Sequence, residues 1–193
     1  MSQEIEIEFK NLLTEEEFLK LTRHFMIKDT EFESQVNHYF DTPDFQLKNL
    51  QSALRIRRKK NSFTLTLKTP LEEGLLETNQ GLSAQEADDL LKQGDFPDGE
   101  VKESLQNAGI STTSLLHFGS LTTKRAEMEF RGGSLVFDES SYFNKVDYEL
   151  EYEVKDFKLG EKIFFDLLKA HEIPHRETEN KIKRFYREKV RHQ

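Results

Sequence analysis

The sequence predicts an α+β, mainly β fold in which an antiparallel sheet closes into a barrel with a wet, charged interior and helices packed outside. Three observations predict it. First, five segments alternate strictly between apolar and polar residues, the two-residue period of a strand. Second, charge type differs between these strands: two are acidic, one is purely basic and one is mixed. The segment at residues 4–10 places Glu4, Glu6, Glu8 and Lys10 on one face and Ile5, Ile7 and Phe9 on the other. Arg55 and Arg57 oppose Leu54 and Ile56, and Thr64, Thr66 and Lys68 oppose Phe63, Leu65 and Leu67. Thr123, Arg125, Glu127 and Glu129 share a face, as do Asp147, Glu149, Glu151 and Glu153. Third, the chain carries enough amphipathic helical pattern to cover the apolar faces, several of them aromatic. A half-buried sheet with its charges in water shows the same alternation. Its surface, however, would mix signs within a strand rather than separate them into ExE and RxR. If helices cover the apolar faces, the charged faces turn inward.

The 193 residues suit one domain, with a helical segment at about 159–190 as its C-terminal part. Hydrophobic residues make up 35% and charged residues 33%, so the core is lean, and sixteen Phe supply much of it. The absence of Cys excludes disulfides and thiolate metal sites and fits a reducing compartment; the expected location is cytoplasmic. The acidic N-terminal stretch has no apolar signal region, and no run of 18 apolar residues offers a membrane span. A net charge of −8 argues against a DNA-binding surface.

In chain order, the alternating strand at 4–10 is followed by Thr14-Glu15-Glu16-Glu17, a capping box that opens a helix to about Phe25. Its apolar stripe is Phe18, Leu19, Leu21, Thr22 and Phe25, and loss of the Thr14 hydroxyl should cost roughly 1 kcal/mol. Residues 32–42 read as extended, and Thr42-Pro43-Asp44 turns the chain into a short helical turn. Runs 52–60 and 62–69 form a hairpin around Lys60-Asn61-Ser62. Another strand precedes Thr78. Ser83 and Glu86 cap a second helix through about Lys92, and a short helix near 100–107 interrupts an otherwise polar loop. Gly132-Gly133 reads as the turn between strands 116–131 and 134–140. A third strand, 145–156, follows the turn at Phe143-Asn144-Lys145. An amphipathic helix covers 160–171, Pro174 breaks it, and Glu177–Lys189 reads as a basic helix. Tyr142 and Phe143 read as exposed loop aromatics and candidate homodimer contacts.

The segregated charges call for guests. Carboxylates favour a hard divalent cation, Mg²⁺ or Mn²⁺. Arginines and lysines favour phosphate oxygens. A small-molecule polyphosphate or nucleotide with its metal satisfies both. Glu side chains at i and i+2 start roughly 6–7 Å apart, within reach of one ion. The six His read as surface or core residues and not as ligands, and there is no Gly-rich phosphate loop.

Glu6-Ile7-Glu8-Phe9-Lys10 resembles the ExExK motif of the CYTH domain, the triphosphate tunnel metalloenzyme superfamily that includes class IV adenylyl cyclases and thiamine triphosphatases. The likeness continues in family order through Tyr39-Phe40-Asp41-Thr42-Pro43, Leu54-Arg55-Ile56-Arg57, Leu67-Lys68, Lys124-Arg125, Asp138, Glu149-Leu150-Glu151 and Lys181. One such motif is weak; the whole ordered set is specific. The resemblance implies a closed eight-stranded antiparallel tunnel that cleaves or cyclises triphosphates with Mg²⁺ or Mn²⁺. It implies Glu6, Glu8, Glu149 and Glu151 as metal ligands. It implies Lys10, Arg55, Arg57, Lys68, Arg125 and Lys181 as phosphate ligands, and Tyr39 with Lys68 as a water-activating dyad. Lys181 rests on the resemblance alone, because a basic helix face is ordinarily solvated. Asp138 and Glu77 are further candidates, Glu127, Glu129 and Glu153 fit salt-bridge partners of the interior cations, and Asp41 fits a cap of the following turn.

Three functions remain open on these residues. A triphosphatase uses the whole set. A class IV cyclase converting ATP to cyclic AMP further requires a purine pocket and a base for the ribose hydroxyl, neither visible in the sequence. A non-catalytic polyphosphate or nucleotide sensor requires only binding.

Overall fold

The computed structural model describes residues 2–191. The elements in order are β1 (Ser2–Leu13), α1 (Glu15–His24), β2 (Glu33–Asp41), α2 (Gln46–Asn49), β3 (Ala53–Lys59), β4 (Ser62–Pro70), β5 (Leu75–Leu82), α3 (Ala84–Lys92) and α4 (Glu100–Asn107). They continue with β6 (Leu116–Phe130), β7 (Gly133–Tyr142), β8 (Lys145–Val154), α5 (Phe157–Ala170) and α6 (Lys181–Arg191). The strands close into an antiparallel barrel in the order β1-β5-β4-β3-β2-β6-β7-β8.

Two compact units divide the chain. The first comprises residues 2–5 and Gln35–Leu121. Here β2, β3, β4 and β5 pair in sequence, with Tyr39 opposite Arg55, Arg55 opposite Thr66 and Lys68 opposite Glu77. Phe40, Leu54, Ile56, Leu65 and Leu67 form the apolar face. They pack on Ala87 and Leu90 of α3 and on Val101 and Leu105 of α4. The alternation then leaves Asn37, Tyr39, Arg55, Arg57, Thr66, Lys68, Glu77 and Asn79 on the face turned away from the helices.

The second unit comprises Glu6–Ser34 and residues 122–191. β1, β8, β7 and β6 pair so that Lys10 opposes Glu151, Glu8 opposes Glu153, Glu149 opposes Asp138, and Asp138 opposes Arg125. Its apolar face carries Leu13, Leu135, Phe137, Leu150 and Tyr152, covered by Phe18 and Leu21 of α1 and by Phe164, Leu167 and Leu168 of α5. Each fully buried side chain of this size contributes about 1.5–3 kcal/mol. The two apolar cores on the outer faces are what commit the charged faces to the inside.

Both capping boxes form. Glu17 N–H donates to Thr14 Oγ1 at 3.2 Å while Thr14 N–H donates to Glu17 Oε2 at 2.8 Å. Ser83 and Glu86 repeat the exchange at 3.2 and 2.8 Å. In α1, Leu19 departs from the expected apolar stripe and is 43% exposed.

Four boundaries differ from expectation, each for a local reason. The β6–β7 turn is Arg131-Gly132, with φ of 46° and 86°, rather than Gly132-Gly133. Gly133 is instead the first residue of β7 and is small because a Cβ there would lie 2.5 Å from the Glu153 carbonyl oxygen. β5 runs on to Leu82, past the polar Thr78–Gln80 stretch, because those residues pair with Leu65–Leu67 of β4. α5 starts at Phe157, where the Asp156 carboxylate accepts from Leu159 N–H at 2.8 Å. α6 starts at Lys181 rather than Glu177, because residues 171–180 lie as a strap across β1. Asn11, fully buried, donates from Nδ2 to the Pro174 carbonyl and accepts from Arg176 N–H, and Leu12 N–H donates to Thr178 Oγ1. The Arg176 guanidinium grips both Glu17 oxygens at 2.8 and 2.9 Å.

Tyr142 is not an exposed loop aromatic. It is 5% exposed and packs on Phe185 of α6, which also stacks on the half-exposed Phe143.

Candidate functional site

The second unit holds a buried acid triad built by two neighbouring strands. Asp138 of β7 and Glu149 and Glu151 of β8 are each 5% exposed or less, and their ligand oxygens lie within 4.8 Å of one another. Three cations meet them. Arg125 of β6 forks onto Asp138, Nε to Oδ1 at 2.7 Å and Nη2 to Oδ2 at 2.6 Å, and reaches Glu151 Oε2 at 2.6 Å. Lys181, the first residue of α6, inserts its ammonium among all three acids. It lies 2.7 Å from Asp138 Oδ2 and 2.5 Å from Glu149 Oε1, and also pairs with Glu151. Arg184, one helical turn on, lies 2.6 Å from Glu149 Oε2 and donates from Nε to Asp147 Oδ2 at 3.0 Å. Asp147 in turn accepts from the Tyr142 hydroxyl at 2.5 Å.

A second acid group lies beside the first on the same unit. Glu6 and Glu8 of β1 and Glu153 of β8 are half-buried and also bring ligand oxygens within 4.8 Å of one another. Lys10 pairs with Glu8. Glu4 is exposed and instead meets Asn79 Nδ2 at 3.2 Å.

Burial and charge divide the labour among these acids. Burial pushes Glu149 up to about 7; Lys181 opposes the rise and the neighbouring Glu151 charge adds to it. Burial likewise lifts Glu153 to about 7 against Arg125, with Glu151, Glu6 and Glu8 reinforcing it. Glu151 is also desolvated, but Lys181 and Arg125 overcome this and hold it well below the usual carboxylate range. Desolvation works against the Lys10 charge as well, and Glu8 and Glu151 more than offset it, so its pKa is raised. The adjacent Glu149 and Glu151 thus share one readily bound proton near neutral pH.

The first unit presents cations. Arg57 Nε donates to Asn37 Oδ1 at 3.0 Å. Lys68 lies 2.5 Å from Glu77 Oε1, and Asn79 Nδ2 donates to Glu77 Oε2 at 3.3 Å. Glu77 is desolvated, yet Lys68 and Arg55 hold it down at about 2. Arg55 Nε is buried and has no hydrogen-bond acceptor among the described residues. A buried guanidinium N–H without an acceptor is a costly arrangement that an anion would complete. Tyr39 is 3% exposed and opposite Arg55. Lys68 is one strand further on, so β3 lies between the two members of the expected dyad.

Of the other expected residues, Glu127 is exposed and 3.8 Å from Arg125, matching its reading as a salt-bridge partner. Glu129 is exposed. Glu153 is both 3.8 Å from Arg125 and a member of the Glu6–Glu8 group. Asp41 caps, as read: its Oδ1 accepts from Thr42 and Leu47 N–H and its Oδ2 from Lys48 N–H. The expected four-carboxylate metal set therefore divides, with Glu6 and Glu8 joined by Glu153, and Glu149 and Glu151 joined by Asp138. Arg184 was not singled out in the sequence, and Asp147 and Tyr142 were not read there as part of this network. The signal was there in the i, i+3 spacing of Lys181 and Arg184, which puts both on one helix face.

The donor atoms of both acid groups are all carboxylate oxygens, which suits a hard divalent ion and not zinc or copper. No helix among the described residues is long and apolar enough to cross a membrane.

Comparison with known proteins agrees with this arrangement. The family model described as the CYTH domain matches residues 4–186. A Bacillus subtilis (strain 168) protein named "Putative triphosphatase YjbK" is 50% identical over 189 residues, 98% of each chain. A crystal structure from Bacillus halodurans, described as a "putative adenylate cyclase", superposes with a TM-score of 0.94 at 47% identity, covering 96% of this chain and 100% of the other. A Hippeastrum protein, described as an adenylyl cyclase candidate with a dominant triphosphatase activity, shares the fold at a TM-score of 0.79 and 24% identity, covering 94% and 95% of the two chains. The chain belongs to the CYTH domain family.

Proposed function

We propose that this protein is a metal-dependent triphosphatase acting on inorganic tripolyphosphate or a small organic triphosphate. The observation that carries the reading is the chemistry of the charged strand faces in each unit: two groups of convergent carboxylates in the second, and arginines and a lysine in the first, where Arg55 has a buried N–H with no acceptor among the described residues. The 50% identical relative named as a triphosphatase supports it. Glu6, Glu8 and Glu153 would hold one Mg²⁺ or Mn²⁺, and Asp138, Glu149 and Glu151 offer a second set of oxygens. Bound there, a divalent ion would neutralise charge on the phosphate oxygens. Arg55, Arg57, Lys68, Lys10, Arg125 and Lys181 orient the phosphate chain and stabilise charge as it builds during transfer. Arg125 and Lys181 already bind carboxylates, so a triphosphate competes for them with Asp138, Glu149 and Glu151. Tyr39 and Lys68 are the candidates to orient and deprotonate the attacking water. We place the protein in the cytoplasm, in keeping with its lack of cysteine.

The sibling reading, a cyclase, appears in the descriptions of the Bacillus halodurans and Hippeastrum structures. Chromatography of the products from ATP separates them. A triphosphatase leaves ADP and orthophosphate; cyclic AMP with pyrophosphate would overturn the proposal.

The raised acids give a pH dependence. In the ion-free protein Glu149 and Glu153 keep protons up to about pH 7, against an ordinary value of 4.5. They therefore favour the fold at low pH, and that contribution is lost as pH rises from about 4.5 through 7. An ion must displace these protons, so Mg²⁺ affinity should rise by about tenfold per pH unit for each proton displaced below pH 7, then level off. Calorimetric titration at pH 5.5, 6.5 and 7.5 checks this; equal affinity at all three would contradict it.

A further inference from the structure

His171 and His175 stand four apart in the sequence, but both fall beyond the end of α5 at Ala170 rather than on one helix face; the first unit brings two other histidines to one point. His38 lies on β2, on the strand face it shares with Phe40, and His117 lies near the start of β6. His38 Nδ1 is 2.7 Å from Ser120 Oγ, and His117 Nε2 is 3.2 Å from the same oxygen. The ring centres are 5.6 Å apart with the planes at 61°. Phe40 packs against the His117 ring at 5.6 Å and fixes its orientation.

We propose that His38 Nδ1 and His117 Nε2, with the Ser120 hydroxyl between them, form a site for a borderline divalent transition ion such as Zn²⁺, on the outer face of the barrel and separate from the carboxylate groups. The spacing fits. An ion about 2.0–2.1 Å from each ring nitrogen at a near-tetrahedral angle sets the ring centres roughly 5 Å apart. The protonation fits as well. Ser120 can donate its hydroxyl proton to only one of the two rings, so the other must donate N–H to it. A single tautomer change in that ring aims both lone pairs at one point. Burial, His117 and Arg58 together hold His38 down at about 4, so it is neutral and able to bind metal at physiological pH. Arg58 also repels an ion, which sets a modest affinity. His117 and Ser120 are exposed, leaving room for water to complete the coordination. Imidazole suits zinc and its neighbours, whereas the all-oxygen groups suit Mg²⁺ or Mn²⁺, so the two kinds of site sort the ions by chemistry. The pair His24–His171 differs: its ring centres are 4.4 Å apart at 77°, an edge-to-face packing contact too close to hold an ion between the rings. Filling the proposed site would tie β6 to β2, the strand that carries Tyr39 on its opposite face.

The test is calorimetric titration of the full chain with Zn²⁺ in the presence of saturating Mg²⁺, which occupies the carboxylates. The expected result is one Zn²⁺ per chain, bound roughly tenfold or more weakly by His117→Ala and by His38→Gln, and unchanged in His24→Ala. Co²⁺ in place of Zn²⁺ should give the visible absorption of a nitrogen-ligated ion, lost in His117→Ala. His117 is exposed, so its removal should leave the far-ultraviolet circular dichroism and the Mg²⁺-dependent phosphate release unchanged. The proposal is overturned if the wild type binds no Zn²⁺ under these conditions, if both variants keep wild-type affinity, or if His24→Ala is the change that abolishes binding.

Discussion

Glu6→Gln is expected to lower Mg²⁺-stimulated phosphate release from tripolyphosphate by roughly 100-fold or more, the loss that follows from removing several kcal/mol of charge stabilisation. Glu6 and Glu8 meet Glu153 with their ligand oxygens within 4.8 Å of one another, and glutamine keeps the shape while removing the charge an ion needs. Glu6 is the better probe than Glu151. Glu151 sits between Arg125 and Lys181, so its loss would also strand two buried cations. Glu6 is half-buried on β1, and Glu6→Gln should leave the melting temperature within a few degrees of wild type. The variant should also need more Mg²⁺ to reach half its maximal rate. Release at the wild-type rate with unchanged Mg²⁺ dependence would remove Glu6 from the metal group.

Arg125→Met is expected to cost about 3–5 kcal/mol of stability, because it leaves Asp138 and Glu151 buried with half of their compensation gone. For a chain of this length that corresponds to a fall in melting temperature of about 6–20 °C, measurable by calorimetry or circular dichroism. The loss has two sources. The guanidinium makes a two-pronged contact with the fully buried Asp138, and it also helps keep Glu151 ionised. Lys181 remains, which limits the damage to one cation of the network. A melting temperature within about 2 °C of wild type would mean that the acid network compensates itself and that Arg125 is free to leave it for a ligand.

Much of this was legible in the sequence, because strand alternation is a local property. The two-residue period sorted Ile5, Ile7 and Phe9 from Glu6, Glu8 and Lys10 without any tertiary information. The same holds for Leu54 and Ile56 against Arg55 and Arg57. The capping boxes at Thr14 and Ser83 rest on a three-residue spacing and formed as read. What failed depended on register or on long-range burial. Nothing local shows that Glu8 lies opposite Glu153, and that pairing is what turns a salt-bridge partner into a member of the Glu6 group. The turn before β7 slid by one residue because both Gly132 and Gly133 look like turn residues, and only the approach of the Glu153 carbonyl tells them apart. Helix α6 reads as a basic, solvated stretch, yet Ile182, Arg184, Phe185 and Tyr186 are buried. Its docking depends on the strap held by Asn11 and on Phe143 and Tyr142, neither visible as a local pattern. Lys181 was found through family resemblance, while Arg184, on the same helix face, was not.

The measurement that bears most directly on a metal-dependent triphosphatase is the release of orthophosphate from tripolyphosphate by the purified full chain, with Mg²⁺, with Mn²⁺ and with EDTA. Steady turnover is expected with at least one of the two ions, giving orthophosphate and pyrophosphate in equal amounts, and none with EDTA. Turnover that persists undiminished in EDTA would contradict the metal assignment. Tight tripolyphosphate binding without turnover in either ion would contradict the enzyme and leave a binding protein in its place.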